Sequence, residues 1–270
     1  MDANRGHFPV NDGELFFECA GDGETIVFIH GFGLDTRMWD PQFDAFQSAF
    51  RVIRYDLRGF GRSSLPPEAP YSHEDDLNAL LSKLAGSKLG GAPVHVVGLS
   101  MGGRMALRFA AAYPQSVWSL VLADPALDGQ NWSTDWQTRW SGMCSAARAG
   151  QLADAKRQWL EHPLFDSSRT NPTTTAHLTR MVDDYSGWHW HNKDLARVPS
   201  PALAERLGEI RTRTLVITGE HDIPDFQAVG NLLAEKLPDV QRVIIKGSGH
   251  MVNLEAPRDF NAALLKFWQG

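Results

Sequence analysis

Cysteine is scarce in this chain: Cys19 and Cys144 are the two among 270 residues. They form neither a disulfide framework nor a metal-ligand spacing, and each reads as a small apolar side chain suited to a reducing compartment. Long apolar runs are missing too. Nothing approaches the roughly 20 residues a membrane span needs, and the N-terminal MDANRGHFPVNDGE lacks the apolar centre of a secretory signal. No basic stripe is present either. The 26 Lys and Arg against 32 Asp and Glu give a net charge of −6 without long runs, which argues against nucleic acid as a partner. Arg104 and Arg108, one helical turn apart, and Arg211 and Arg213, beside a strand, are the densest basic groups. The expectation is a soluble, cytoplasmic protein with no nucleic-acid or membrane partner.

What is present is the material of an α/β domain. Runs rich in β-branched residues recur: ELFFEC (14–19), TIVFIH (25–30), RVIRYD (51–56), VHVVG (94–98), WSLVLAD (118–124), TLVITGE (214–220) and QRVIIKG (241–247). Several are apolar throughout, as parallel strands buried on both faces must be. Helical periodicity fills many of the gaps, over 73–85, 101–112, 225–237 and 257–268. This alternation predicts a mostly parallel sheet with helices on both sides. The short AGDGE link predicts an antiparallel edge hairpin between the first two runs.

From about residue 128 to 207 the strands stop, and six of the nine tryptophans gather there. Trp132, Trp136 and Trp140 recur every four residues, which predicts one helical face. We read 128–207 as a helical cap inserted into a core made of 1–127 and 208–270.

The most informative stretch is VHVVGLSMGGRMALRFA (94–110), where a strand-like run meets a helix-like one at Ser100. So tight a corner needs small neighbours, and Gly98 and Gly102 supply them. The pattern is a nucleophile elbow, which exposes a serine hydroxyl and leaves the Met101 N–H at a helix N-terminus, facing developing negative charge. A serine needs a base. His250, in the glycine-bearing loop KGSGHMVNLEAP after the last strand-like run, can swing over the elbow. The acid that orients it is assigned to Asp222 in TLVITGEHD. Asp124 at the end of WSLVLAD is the rival, and Glu220 and Asp225 are neighbouring loop carboxylates. A second oxyanion donor is assigned to the backbone N–H of Phe32 in His30-Gly31-Phe32-Gly33, with His30 holding that loop in place.

Taken together, HGFG, YDLRGFGRS, GLSMGG, GEHD and SGHMVNLEAP resemble the α/β-hydrolase family over nearly the whole chain except the cap. The stretch from MWDPQFDAF to RVIRYDLRGFGRSS looks most like the carboxylesterase and enol-lactonase branch. The resemblance implies an eight-stranded, mostly parallel sheet with a lid after the sixth strand. It also implies a Ser-Asp-His triad in that chain order, on Ser100, Asp222 and His250. The expected activity is hydrolysis of small to medium carboxylic esters or lactones through an acyl-enzyme. Cleavage of a carbon–carbon bond in a diketone-like substrate, or a ligand receptor that keeps the triad without turnover, are the alternatives.

Substrate-binding positions are expected at Trp132, Trp136, Trp140 and Trp188. The pair His189 and His191 lacks further ligands, so neither metal nor cofactor is expected. Arg139, Arg148, Arg169, Arg180 and Arg197 are scattered through the cap, which predicts apolar walls and a preference for neutral esters over carboxylate-bearing lactones.

Overall fold

A computed structural model describes residues 4–85 and 92–270. The apolar runs become eight strands: β1 (Asn4–Val10), β2 (Gly13–Ala20), β3 (Thr25–Ile29), β4 (Arg51–Tyr55), β5 (Val94–Leu99), β6 (Val117–Ala123), β7 (Thr214–Gly219) and β8 (Val240–Ile245). They form one sheet in the order β1-β2-β4-β3-β5-β6-β7-β8. From β4 onward all neighbours are parallel, whereas β1/β2 and β2/β4 are antiparallel. Every residue of β3, β5 and β7 is buried, as expected of central strands with helices on both faces.

The edge differs from the sequence expectation. The runs at 14–19 and 25–30 do not pair with each other: β2 lies between β1 and β4, and β3 lies between β4 and β5. A fully buried β3 requires cover on both edges, so the AGDGE link carries the chain across β4 instead of turning back. Gly21 makes this crossing possible at φ +76°, with its Cα so near the Phe50 carbonyl that a Cβ would sit 2.1 Å from that oxygen. The true edge hairpin joins β1 to β2, pairing Val10 with Gly13 around Asp12 at φ +58°. Pro9 is tolerated in β1 because that strand is the sheet edge.

Helices α1 (Asp40–Phe46), α2 (His73–Ala85) and α3 (Met101–Ala112) follow β3, β4 and β5. Between β6 and β7 come α4 (Thr134–Arg148), α5 (Leu152–Leu160), α6 (Asp166–Arg169), α7 (Pro172–Asp184) and α8 (Trp188–His191). The chain closes with α9 (Pro224–Lys236), α10 (Val252–Glu255) and α11 (Pro257–Gln269). Capping sets several starts: Asn171 accepts the N–H groups of Thr173 and Thr174 with Pro172 at the first helical position. Ser133 likewise accepts the Trp136 N–H at 3.2 Å and so starts α4 at Thr134. Trp132 therefore precedes that helix and does not share its face. It stacks on Trp136 instead, with ring centroids 4.2 Å apart. No helix among the described residues is long and apolar enough to cross a membrane.

Candidate active site

Ser100 sits between β5 and α3 at φ 58° and ψ −119°, a conformation L-residues avoid and one that the surroundings must impose. Its N–H donates to the Ala123 carbonyl at 2.9 Å, and its own carbonyl accepts from Ala126 at 3.0 Å. A Cβ on Gly98 would lie 2.2 Å from the Gly102 carbonyl oxygen, and one on Gly102 would lie 2.1 Å from that of Ile29. Backbone, not a movable side chain, fills both spaces. Gly102→Ala is accordingly expected to destabilise the fold by more than about 3 kcal/mol, beyond the usual cost of overpacking, and to appear as insoluble or early-melting protein. A thermal midpoint within a few degrees of the parent would show that the elbow relaxes freely.

Two loops are drawn toward this corner. The side chain of His30 is fully buried: its Nε2 accepts the Leu57 N–H at 2.9 Å, which leaves Nδ1 to donate to the Gly31 carbonyl at 2.8 Å. That pairing ties the HGFG loop to the chain after β4. Asp56 supplies the next tie, accepting N–H groups from Thr36 at 2.7 Å and Arg62 at 2.9 Å. Burial raises the Asp56 carboxyl above the usual range, and the nearby His30 ring works against that rise. Gly31 lies against the Ser100 Cβ, where a side chain of its own would meet it at 3.6 Å.

His250 and Asp222 meet as a buried pair, Nδ1 to Oδ2 at 2.9 Å, with 1 % and 0 % of their side chains exposed. The second Asp222 oxygen accepts the Ile223 N–H at 2.7 Å, so the carboxylate cannot rotate away. On the other side of the ring, Nε2 is buried without a hydrogen-bond partner among the described residues. Phe226 packs on the imidazole with centroids 4.3 Å apart and also lines the cavity that holds Ser100.

The rival carboxylates have other partners. Asp225 accepts from the N–H and hydroxyl of Ser133 at 2.7 and 2.8 Å, and Glu220 accepts the Gly247 N–H at 2.9 Å. Asp124 is nearer: one side-chain atom each of Asp124, Asp222 and His250 lie within 4.8 Å of one another. Yet Asp124 accepts the Gly219 N–H at 2.9 Å rather than touching the ring.

The cavity, about 710 Å³, lies between the sheet's upper edge and the helical segment. Phe32, Ser100 and Met101 line it, as do Trp132, Trp136 and Trp140. Trp188 lies outside, its ring edge-on to His189 with centroids 4.9 Å apart, because the short α8 directs His189 inward and Trp188 away. Trp159, Phe60 and His189 also line the cavity, although none of them is among the substrate-binding positions expected from the sequence. Phe32 joins the two halves, with Trp140, Trp159 and Tyr185 rings 4.9, 5.6 and 5.7 Å from its own. The walls are not wholly apolar: Arg104 and Arg108 of α3 also face the cavity, and both lie on the sheet side rather than in the helical segment.

Two histidines of the helical segment, of which His189 lines the cavity, are held neutral. Burial, followed by the Arg139 charge, lowers His162 to about 4, and burial lowers His189 to about 4. An unfolded histidine takes its proton near pH 6.5, so between about 6.5 and 4 the unfolded chain binds more protons and native stability falls with pH. This contribution is fully present above about pH 6.5. In His162→Asn the amide oxygen can still accept the Leu164 N–H that Nδ1 accepts at 3.1 Å. The variant is expected to lose less stability than the parent between pH 7 and 5, as read by urea midpoints; parallel curves would contradict a neutral buried His162.

A doubly covered parallel sheet, a serine at the strand–helix corner and a buried His–Asp pair together define the hydrolase type of α/β protein. The chain belongs to the α/β-hydrolase fold family, whose model matches residues 24–257. It is similar to a 2-hydroxy-6-oxononadienedioate/2-hydroxy-6-oxononatrienedioate hydrolase of Escherichia coli K12, 27% identical over 262 residues that cover 93% of this chain and 89% of the relative. Among solved structures it resembles a thermophilic esterase from Thermogutta terrifontis, with TM-score 0.83, 25% identity and coverage of 100% and 98% of the two chains. The enol-lactonase from Burkholderia xenovorans LB400 is similar at TM-score 0.78 and 25% identity, covering 98% of this chain and 100% of that one.

Proposed function

We propose that the protein is a serine hydrolase that cleaves small to medium carboxylic esters or lactones through an acyl-enzyme. The observation that carries this reading is the buried His250–Asp222 contact of 2.9 Å, whose outer ring nitrogen is left without a partner. Asp222 accepts a hydrogen bond from Nδ1–H, which fixes the tautomer with Nε2 as base. Ser100 Oγ gives its proton to Nε2 as it bonds to the substrate carbonyl carbon. The oxyanion that forms is met by the N–H groups of Phe32 and Met101, the latter at the start of α3 where the first N–H groups have no helical acceptor. Collapse breaks the ester C–O bond, and His250 returns the proton to the leaving alkoxide. A water deprotonated by His250 then attacks the acyl carbon, the acyl C–Oγ bond breaks, and His250 returns the proton to Ser100 Oγ as the acid leaves.

Residues 128–207 serve in this reading as a cap, with Trp132, Trp136 and Trp140 forming the wall that limits acyl size. The partner is a small-molecule ester or lactone, and the reaction needs no cofactor. The esterase and enol-lactonase neighbours support this chemistry. The Escherichia coli relative supports a second reading, in which a diketone-like compound is split at a carbon–carbon bond.

Stopped-flow hydrolysis of 4-nitrophenyl butanoate tests the proposal, together with mass spectrometry after treatment with an aryl phosphonate. A nitrophenolate burst stoichiometric with enzyme and a phosphonyl adduct on the peptide carrying Ser100 are expected. Absence of both overturns the reading, and turnover of a diketone alone would move the enzyme to the second one.

A further inference from the structure

Helix α3, which follows Ser100, carries two arginines at one-turn spacing, and their environments differ. Arg108 is satisfied: its guanidinium grips Asp128 in a two-point contact of 2.6 and 2.5 Å, with Glu74 3.8 Å away and the Arg197 carbonyl at 3.3 Å. Arg104 faces the same cavity, yet its buried Nε has no hydrogen-bond partner, and no ion pair holds its guanidinium among the described residues. Buried polar atoms are nearly always paired, and a guanidinium all the more so.

The neighbouring charges do not fill the gap. Burial is the main influence lowering the Arg104 pKa, and the next is the positive charge of Arg108; Asp128, Asp194 and Glu74 act in the opposite direction. Asp128 is committed to Arg108. Asp194 accepts from the Tyr71 hydroxyl at 2.9 Å and the Ala196 N–H at 3.0 Å. His73, which also lines the cavity, is held neutral chiefly by its burial. A cation with five donors thus borders the cavity beside the nucleophile with no carboxylate at ion-pair distance among the described residues.

We infer that Arg104 is the binding group for a substrate carboxylate, so that the hydrolysed ester or lactone carries a free carboxylate a few carbons from the scissile carbonyl. This rests on the proposed hydrolase reading and names its substrate class. Side chains on a helix lean toward its N-terminus, so Arg104 leans back toward Ser100, about 6 Å along the axis. A planar guanidinium takes a carboxylate through two parallel N–H···O bonds, which fixes both position and orientation. The charge needed for an acidic substrate therefore comes from the core helix. The scattered arginines between β6 and β7, which suggested a preference for neutral esters, do not bear on it.

The test compares 4-nitrophenyl hemiglutarate with 4-nitrophenyl pentanoate, which replaces the distal carboxylate by a methyl group. For the parent protein, kcat/KM is expected to favour the hemiester by about 10-fold or more, the range of hydrogen bonds to a charged group. Arg104→Met should lower that ratio by about 10- to 100-fold, mainly through KM for the hemiester, and Arg104→Lys should restore part of it. Arg104→Gln serves the same purpose if the methionine variant does not fold. Equal treatment of the two esters by the parent, or an equal loss on both in the variants, overturns the inference while leaving the hydrolase reading in place. If neither ester is turned over, the hydrolase reading fails, and calorimetry with glutarate decides the carboxylate site separately. Binding to the parent that is lost in Arg104→Met supports it; no binding, or equal binding, overturns it.

Discussion

Ser100→Ala is expected to abolish ester hydrolysis, lowering kcat by about 10⁴-fold or more, while the protein remains folded. The methyl group fits the same corner, and the φ of 58° strains alanine about as much as serine, so the elbow keeps its shape. The hydrogen bonds that hold the corner are backbone ones, from Ser100 to Ala123 and from Ala126 to Ser100, and they survive the change. What is lost is the oxygen that the proposed mechanism acylates. Residual rate would come only from the oxyanion donors and from substrate positioning. Circular dichroism and thermal melting should match the parent. A tenth of parental kcat in a correctly folded variant would remove Ser100 from the chemistry.

Much of this arrangement is legible in the sequence because its physics is local. Gly98 and Gly102 announce a corner where backbone atoms come within van der Waals reach, and the apolar run before it can only be a buried strand. Edge strand β1 was not visible in the same way. NRGHFPV is half exposed and contains Pro9, so it carries neither the apolar continuity of a central strand nor clean alternation. The order of β2, β3 and β4 was missed for a related reason: pairing is a non-local choice, and a glycine-rich link fits a crossing as well as a turn. Wall residues are the hardest to read. Phe226 and Trp159 reach the cavity through tertiary packing, and a spacing of four placed Trp132 on a helix that Ser133 starts after it. Arg104 could be found in principle, since a guanidinium one turn past an elbow serine must lie near the nucleophile. Its unpartnered Nε among the described residues, however, is visible only in three dimensions.

The two aspartates near His250 are expected to respond in opposite ways to the same substitution. In Asp222→Asn the amide oxygen can still accept the Ile223 N–H, so the loop is preserved, but the amide group now faces Nδ1. Its N–H donates to Nδ1, which moves the ring proton to Nε2 and leaves no lone pair for the serine proton. A loss of about 10⁴-fold in kcat is expected from that tautomer alone. Asp124 is different because it is buried entirely, and burial together with the adjacent Asp222 charge raises its carboxyl pKa well above the usual range. Both influences favour its neutral acid form: one oxygen accepts the Gly219 N–H at 2.9 Å, and the other is buried without a hydrogen-bond partner among the described residues. An asparagine there offers the same acceptor and replaces the O–H donor by an N–H. It also tolerates the φ of 39° at this position, since Asn and Asp enter the left-handed region more readily than other side chains. Asp124→Asn should therefore keep kcat within about threefold of the parent, whereas Asp124→Leu, which removes both groups, should lower stability by about 1–3 kcal/mol. Steady-state kinetics of the two asparagine variants, run beside urea unfolding, separate the roles. A large loss in Asp124→Asn with little change in Asp222→Asn would place the functional acid at the end of β6.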